Sequence, residues 1–247
     1  MFSTLSAETL HSNGGTQRSP GNSFVAISFA PGWFILTVPY DGSEPTIVAE
    51  YTPETQWLLW DPITVGSDVV FWAKHTDRSR VHIYHAATGL TEPLLDVVGM
   101  HVYGARTDGT TLVWIQSLPP QSEGGAPTQA ELWSSPYATT ASGLAPQKIA
   151  DLSGDLANSS TFFESGIFVL RQAGWARNVA VRVADGMYWK VDAPEGMAWG
   201  DPLYVSPEEI GMPLQAPEDQ TRTFTIRRQK FADLGEPLPI VGVLGEP

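Results

Sequence analysis

Two aspartates draw attention for the chemistry they could do. Asp61 and Asp201 each precede a proline and closely follow a tryptophan, in Trp60-Asp61-Pro62-Ile63 and Trp199-Gly200-Asp201-Pro202-Leu203. Two carboxylates facing each other across a cleft are what glycoside hydrolysis needs, one protonating the leaving oxygen and one acting as base or nucleophile. Asp108 and Asp155 stand at related points further along the chain and could supply a third acid. The plainer reading of the same residues is structural, because Asp before Pro turns and caps the chain where a strand begins.

The other reactive side chains form no constellation. His82 and His85 are three apart on an expected strand and so face opposite ways, His75 caps the neighbouring strand, and His101 and His11 read as isolated. Metal ligation needs donors that converge, so no metal and no cofactor is expected. The sequence contains no G-x-S-x-G, H-E-x-x-H, P-loop or G-x-G-x-x-G signature. Nine tryptophans recur along the chain. Most suit the gaps between packed sheets, but Trp57, Trp60, Trp175 and Trp199 fall in expected loops or strand starts, where they could form a recognition surface for a sugar or a peptide.

Composition narrows the partners. The 247 residues include 27 acidic and 14 basic side chains, a net charge of −13, which argues against a nucleic-acid backbone or anionic lipid as partner. There is no cysteine, hence no disulfide or thiolate metal site. No apolar run approaches the roughly 20 residues of a membrane-spanning helix, so no membrane insertion is expected. The first residues lack the basic start and apolar core of a secretory signal. The compartment stays open: periplasmic or extracellular if a signal was removed, otherwise cytoplasmic.

These residues must be positioned by strands. Residues 68–74 (DVVFWAK) and 80–86 (RVHIYHA) are rich in β-branched and aromatic side chains, and Thr88-Gly89 supplies a turn between them and the next run. Together with the runs on either side they make a meander of four strands over residues 60–98. The scheme recurs. The second strand of each set is centred on Phe29, Phe71, Val113, Phe168 and Met212, at spacings of 42, 42, 55 and 44 residues. The long interval contains a Pro/Gly/Ser-rich insertion at 118–129, read as an exposed loop. Turn glycines Gly42, Gly89, Gly143, Gly186 and Gly235 also count five. No 3.6-residue pattern lasts a dozen residues.

The expected fold is therefore all-β, a β-propeller of five blades with four antiparallel strands each. The blades are expected at about 23–56, 57–99, 100–156, 157–199 and 200–247. Residues 1–22 are expected to be a flexible or weakly ordered lead-in, or to give one weak strand at 5–11, and residues 238–243 are expected to give the last strand of the last set.

The motifs Thr107-Asp108-Gly109-Thr110-Thr111-Leu112-Val113-Trp114 and His82-Ile83-Tyr84-His85-Ala86-Ala87-Thr88-Gly89 resemble the TolB-like or PD40 class of bacterial propellers. In that class a D-G turn feeds an apolar strand and a T-G turn ends the third strand. Ser67-Asp68, Ser165-Gly166 and Ile210-Gly211 stand at the corresponding D-G points. The resemblance implies a propeller and a protein-binding or accessory role, with no catalytic residue. The segment Asp61-Pro62-Ile63-Thr64-Val65-Gly66 also looks like the Asp-Pro opening of five-bladed arabinanase-type glycosidases.

The expected function is a non-catalytic binding or scaffolding module. It is expected to present Trp60, Asp61, Asp108, Asp155, Trp199 and Asp201 at a channel mouth to a protein or carbohydrate ligand, as a monomer. The alternatives are a hydrolase using Asp61 and Asp201, and a piece of a larger propeller-containing protein.

Overall fold

The computed structural model describes residues 23–28, 34–52, 54, 56–118, 130–157, 161–171, 176–216 and 225–244. The expected strand at 5–11, Phe29, Trp175 and nearly all of the 118–129 insertion lie outside these residues. The chain divides into two compact units, Met1–Ala105 with Tyr137–Leu144, and Arg106–Pro136 with Ala145–Pro247.

The first unit contains two antiparallel meanders. β1 (Ser23–Ser28), β2 (Phe34–Pro39) and β3 (Thr46–Glu50) pair in that order. β4 (Leu58–Val65), β5 (Asp68–Lys74), β6 (Arg78–His85) and β7 (Leu90–Val98) form the second sheet, also in chain order. β5 is buried on both faces, which is why its sequence is a continuous apolar run. β7 is mostly exposed and sinks only Leu94. Ile35, Val48, Leu59, Val69, Phe71, Ala73 and Tyr84 make the core of this unit. The turn after β6 is fixed from a distance: Asp68 accepts the Ala86 backbone N–H at 3.1 Å and contacts His85 Nδ1 at 3.2 Å. His82 has other partners. It stacks on Phe71 at 5.2 Å and meets the edge of Trp57 at 6.4 Å, and burial, with the nearby Arg80 charge, pushes its pKa down to about 4.

β8 (His101–Thr107) begins in the first unit; its last two residues, Arg106 and Thr107, belong to the second. In the second unit β9 (Thr111–Ser117), β10 (Ala130–Pro136) and β11 (Gln147–Leu152) pair in chain order. A one-turn helix, Gly154–Ala157, leads to the next meander. This is built from β12 (Thr161–Glu164), β13 (Ile167–Arg171), β14 (Arg177–Arg182) and β15 (Met187–Asp192). In the last sheet β16 (Ala198–Trp199) and β17 (Tyr204–Val205) pair with successive stretches of β18 (Glu209–Gln215), and β19 (Thr225–Lys230) pairs along its length. Its core joins Val169, Trp189, Trp199, Ile210, Met212 and Phe231, with Trp189 stacked on Phe231 at 4.5 Å.

Two expectations are corrected here. Residues 238–243 do not complete the last sheet. Instead β20 (Leu238–Pro239) adds to β15, and β21 (Val243–Leu244) adds in parallel to β11. The end of the chain thus satisfies backbone groups at the outer edges of two earlier sheets. Nor is Ile210-Gly211 a turn. Gly211 lies inside β18 directly under the Tyr204 ring, where a Cβ would fall 2.0 Å from the ring. Only glycine admits so close an approach.

Candidate functional site

The site is built on a fault in β4. Leu58, Leu59 and Trp60 pair with Lys74, Ala73 and Trp72, and pairing resumes at Ile63 opposite Val70. Asp61 and Pro62 therefore face the single residue Phe71, a β-bulge of the kind that bends a strand and re-aims its side chains. The local sequence explains it. Pro62 has no N–H to give to the ladder, and Asp61 adopts a left-handed φ of +43° that Asp tolerates better than most residues.

The bulge gathers an aromatic group around Trp72. The half-buried Trp60 ring stacks on Trp72 with centroids 5.7 Å apart and planes 17° apart. Trp72 Nε1 donates to Asp61 Oδ2 at 3.3 Å. Tyr103 meets Trp72 edge-on at 5.9 Å. Strand alternation then adds two cationic or basic groups on the same faces. Lys74, two residues after Trp72, donates to the Tyr103 hydroxyl at 3.5 Å, with its Nζ 5.4 Å from the ring centroid. His101, two residues before Tyr103, places Nδ1 3.3 Å from that hydroxyl and Nε2 3.5 Å from the Thr76 carbonyl. Because a carbonyl only accepts, the network assigns the imidazole proton to Nε2, so that Tyr103 donates to Nδ1. A polar run from Lys74 through Tyr103 and His101 to Thr76 results.

Its electrostatics follow from burial. Desolvation lowers the Lys74 pKa, and desolvation first, then the Lys74 charge, lowers that of His101 against the opposing pull of the Thr76 carbonyl. Lys74 makes no ion pair among the described residues, although the chain carries net charge −13. An aromatic floor beside a partly desolvated ammonium and a phenol can hold the apolar face of a ligand and one of its acidic or hydroxyl groups.

The remaining residues singled out in the sequence fall elsewhere. Asp108 accepts the backbone N–H groups of Thr110 and Thr111, both at 2.9 Å, and the Thr110 hydroxyl at 2.7 Å, so it caps its own turn. Asp155 stands in the one-turn helix, and its side chain lies outside the described ones. Trp199 is 1% exposed, and its indole donates to the Val191 carbonyl at 2.9 Å inside the core of the second unit. Asp201 turns outward, 62% exposed, and pairs with Arg171 at 2.9 Å. Trp57 packs against His75 at 5.4 Å, under the Arg80 guanidinium at 4.8 Å. Among the described residues no group of three or more His, Cys, Asp or Glu is placed to hold a metal ion.

Of the expected residues, the structure brings Trp60 and Asp61 together and sends Trp199 and Asp201 opposite ways. Sequence reading passed over Trp72, Lys74 and Tyr103 as parts of a site and took His101 for an isolated residue. The available signal was the i, i+2 spacing of Trp72 with Lys74 and of His101 with Tyr103, each pair on one face of its strand.

No family model matches the sequence, and no curated protein matches it. Solved structures do resemble the fold. An oligogalacturonate lyase in complex with manganese has a TM-score of 0.64 at 13% identity, over 93% of this chain and 65% of the lyase. The nidogen/laminin complex has a TM-score of 0.57 at 11% identity, over 90% of this chain and 77% of that one. TolB from Acinetobacter baumannii has a TM-score of 0.51 at 11% identity, over 88% of this chain and 53% of TolB. The chain thus spans less than two thirds of the length of the lyase. At these identities the likeness is one of fold, and the fold is all-β and propeller-type.

Proposed function

We propose that the chain is a non-catalytic binding module. In this reading it is a five-bladed propeller, with blades at about 23–56, 57–99, 100–156, 157–199 and 200–247, that holds a protein or carbohydrate ligand on the surface formed by Trp60, Asp61, Lys74 and Tyr103. The observation that carries the reading is the half-buried Trp60 ring, stacked on the buried Trp72, beside a lysine that has no carboxylate partner among the described residues. Such a floor stacks on a sugar ring or an aromatic side chain, while the ammonium and phenol take a carboxylate or hydroxyl. The fold likeness supplies one carbohydrate precedent, the oligogalacturonate lyase, and one protein complex, nidogen with laminin. A hydrolytic reading of Asp61 and Asp201 finds no support in their surroundings. A general acid needs a desolvated carboxyl, whereas Asp201 is largely exposed beside Arg171 and Asp61 accepts an indole N–H.

A screen by tryptophan fluorescence tests this. Galacturonate oligomers, neutral cello-oligosaccharides and an array of short peptides are the probes. A binder is expected, and Trp60→Ala and Lys74→Ala are each expected to weaken it by about tenfold or more with the circular dichroism spectrum unchanged. Binding indifferent to both substitutions, or no binding by any probe, overturns the proposal.

A further inference from the structure

The last sheet of the second unit ends on an edge, at β19, that no strand covers among the described residues. The outer edges of the two neighbouring sheets in that unit, at β11 and β15, are taken by β21 and β20. β19 has a described partner on one side only. The carbonyls of Gly211 and Pro213 accept from Leu203 and Gly200, so this edge of β18 belongs to β16 and β17. The other edge faces β19, and the Phe231 N–H donates across it to the Glu208 carbonyl. Alternation along an antiparallel pair then turns the N–H and C=O groups of Ile226, Arg228 and Lys230 outward. No further partner for them appears among the described residues.

The charge on this edge runs against the rest of the molecule. Of the 14 basic side chains in a chain of net charge −13, three lie on the six residues of β19: Arg227, Arg228 and Lys230. Arg228 is bound to Glu209, which also accepts the Tyr204 hydroxyl at 2.9 Å. Arg227 and Lys230 form no ion pair among the described residues. Both faces of the strand are largely open, and Ile226 is 55% exposed. Cations on an edge strand repel a second copy of the same edge, and the same cations attract an extended segment of opposite charge.

We propose that β19 is a docking edge that takes an acidic, extended segment of a partner protein as the next strand of its sheet. Main-chain bonds to Ile226, Arg228 and Lys230 supply the pairing, and Arg227 and Lys230 select for Asp and Glu. The edge belongs to a different unit from the Trp60 surface and does not depend on it.

The test uses the full chain and a fluorescent peptide of alternating Asp/Glu and Val. Its control is a peptide of the same charge interrupted by prolines, which cannot form a strand. The alternating peptide is expected to bind, and the proline-interrupted one to bind about tenfold or more weakly. Ile226→Pro removes an outward donor and leaves the bonds to β18 in place. That variant and Arg227→Glu/Lys230→Glu are each expected to reduce binding by about tenfold while Trp60→Ala does not. Retained thermal unfolding checks that the variants fold. Equal binding of the two peptides, binding untouched by Ile226→Pro, or no binding at all overturns the proposal. So does a dimer of the native chain that Ile226→Pro dissolves, since the occupant is then a second copy.

Discussion

The segments Trp60-Asp61-Pro62 and Trp199-Gly200-Asp201-Pro202 are nearly the same words, and the fold uses them for opposite ends. In the first, tryptophan and aspartate are adjacent. The bulge leaves Trp60 half-buried on Trp72 and points Asp61 at the Trp72 indole. In the second, Gly200 separates them. A Cβ there would lie 3.1 Å from the Pro213 side chain, so the backbone presses flat on its neighbour. Trp199 is drawn into the core, and Asp201, one step further, points to solvent and Arg171. Alternation alone would set the adjacent pair on opposite faces and the i, i+2 pair on one; the bulge at Asp61 and the end of β16 at Trp199 override it in both places. Residue types name a candidate site; spacing and bulges decide whether it forms.

The largest difference is expected on removing the two tryptophans. Trp199→Ala empties a fully buried position and is expected to cost about 3–5 kcal/mol, enough to unfold the unit. Trp60→Ala is expected to cost about 1–2 kcal/mol and to act mainly on binding. Urea unfolding of both variants gives the comparison, and equal losses would erase it.

Acid should also separate the two regions. The histidines among the described residues, His75, His82, His85 and His101, all belong to the first unit. Burial depresses His82 to about 4 from an ordinary 6.5, and lowers His101 as well. A histidine with a depressed folded pKa stays neutral in the fold and charges when unfolded. Its contribution is therefore complete above about pH 6.5 and is lost as the pH falls towards 4. For His82 this amounts to about 3 kcal/mol. Hydrogen-exchange protection factors, corrected for the intrinsic slowing of exchange in acid, are expected to fall in β5 and β6 before β13 and β14 over that window, and His82→Phe is expected to flatten the response.

The aspartates give the smallest contrast. Asp61→Ala leaves a left-handed residue without its indole bond and is expected to cost about 1–2 kcal/mol, while Asp61→Asn keeps both and stays near the native value. Asp201→Ala breaks an exposed ion pair and is expected to cost no more than about 1 kcal/mol, less in high salt. Thermal unfolding at two salt concentrations reads both.

How much of this could be read from the chain varies with the physics involved. β5 was legible to the residue, because a strand buried on both faces writes itself as an unbroken apolar run. Residues 238–243 were legible as extended but not as to partner, since two short apolar pairs carry no mark of which edge they meet. Gly211 imitates a turn because the reason for it, the Tyr204 ring above β18, lies seven residues away. At the site, Trp60-Asp61 stood out by its proline. Lys74 and His101 did not, because each acts through Tyr103, and the meeting of β5 with β8 is a fact of packing that no local pattern records.

The most direct measurement is the indole N–H spectrum of the chain labelled with nitrogen-15 at tryptophan, titrated with the tightest probe of the screen. The Trp60 and Trp72 resonances are expected to move to saturation while that of Trp199 stays in place. A shift at Trp199 with Trp60 and Trp72 unmoved would contradict the account.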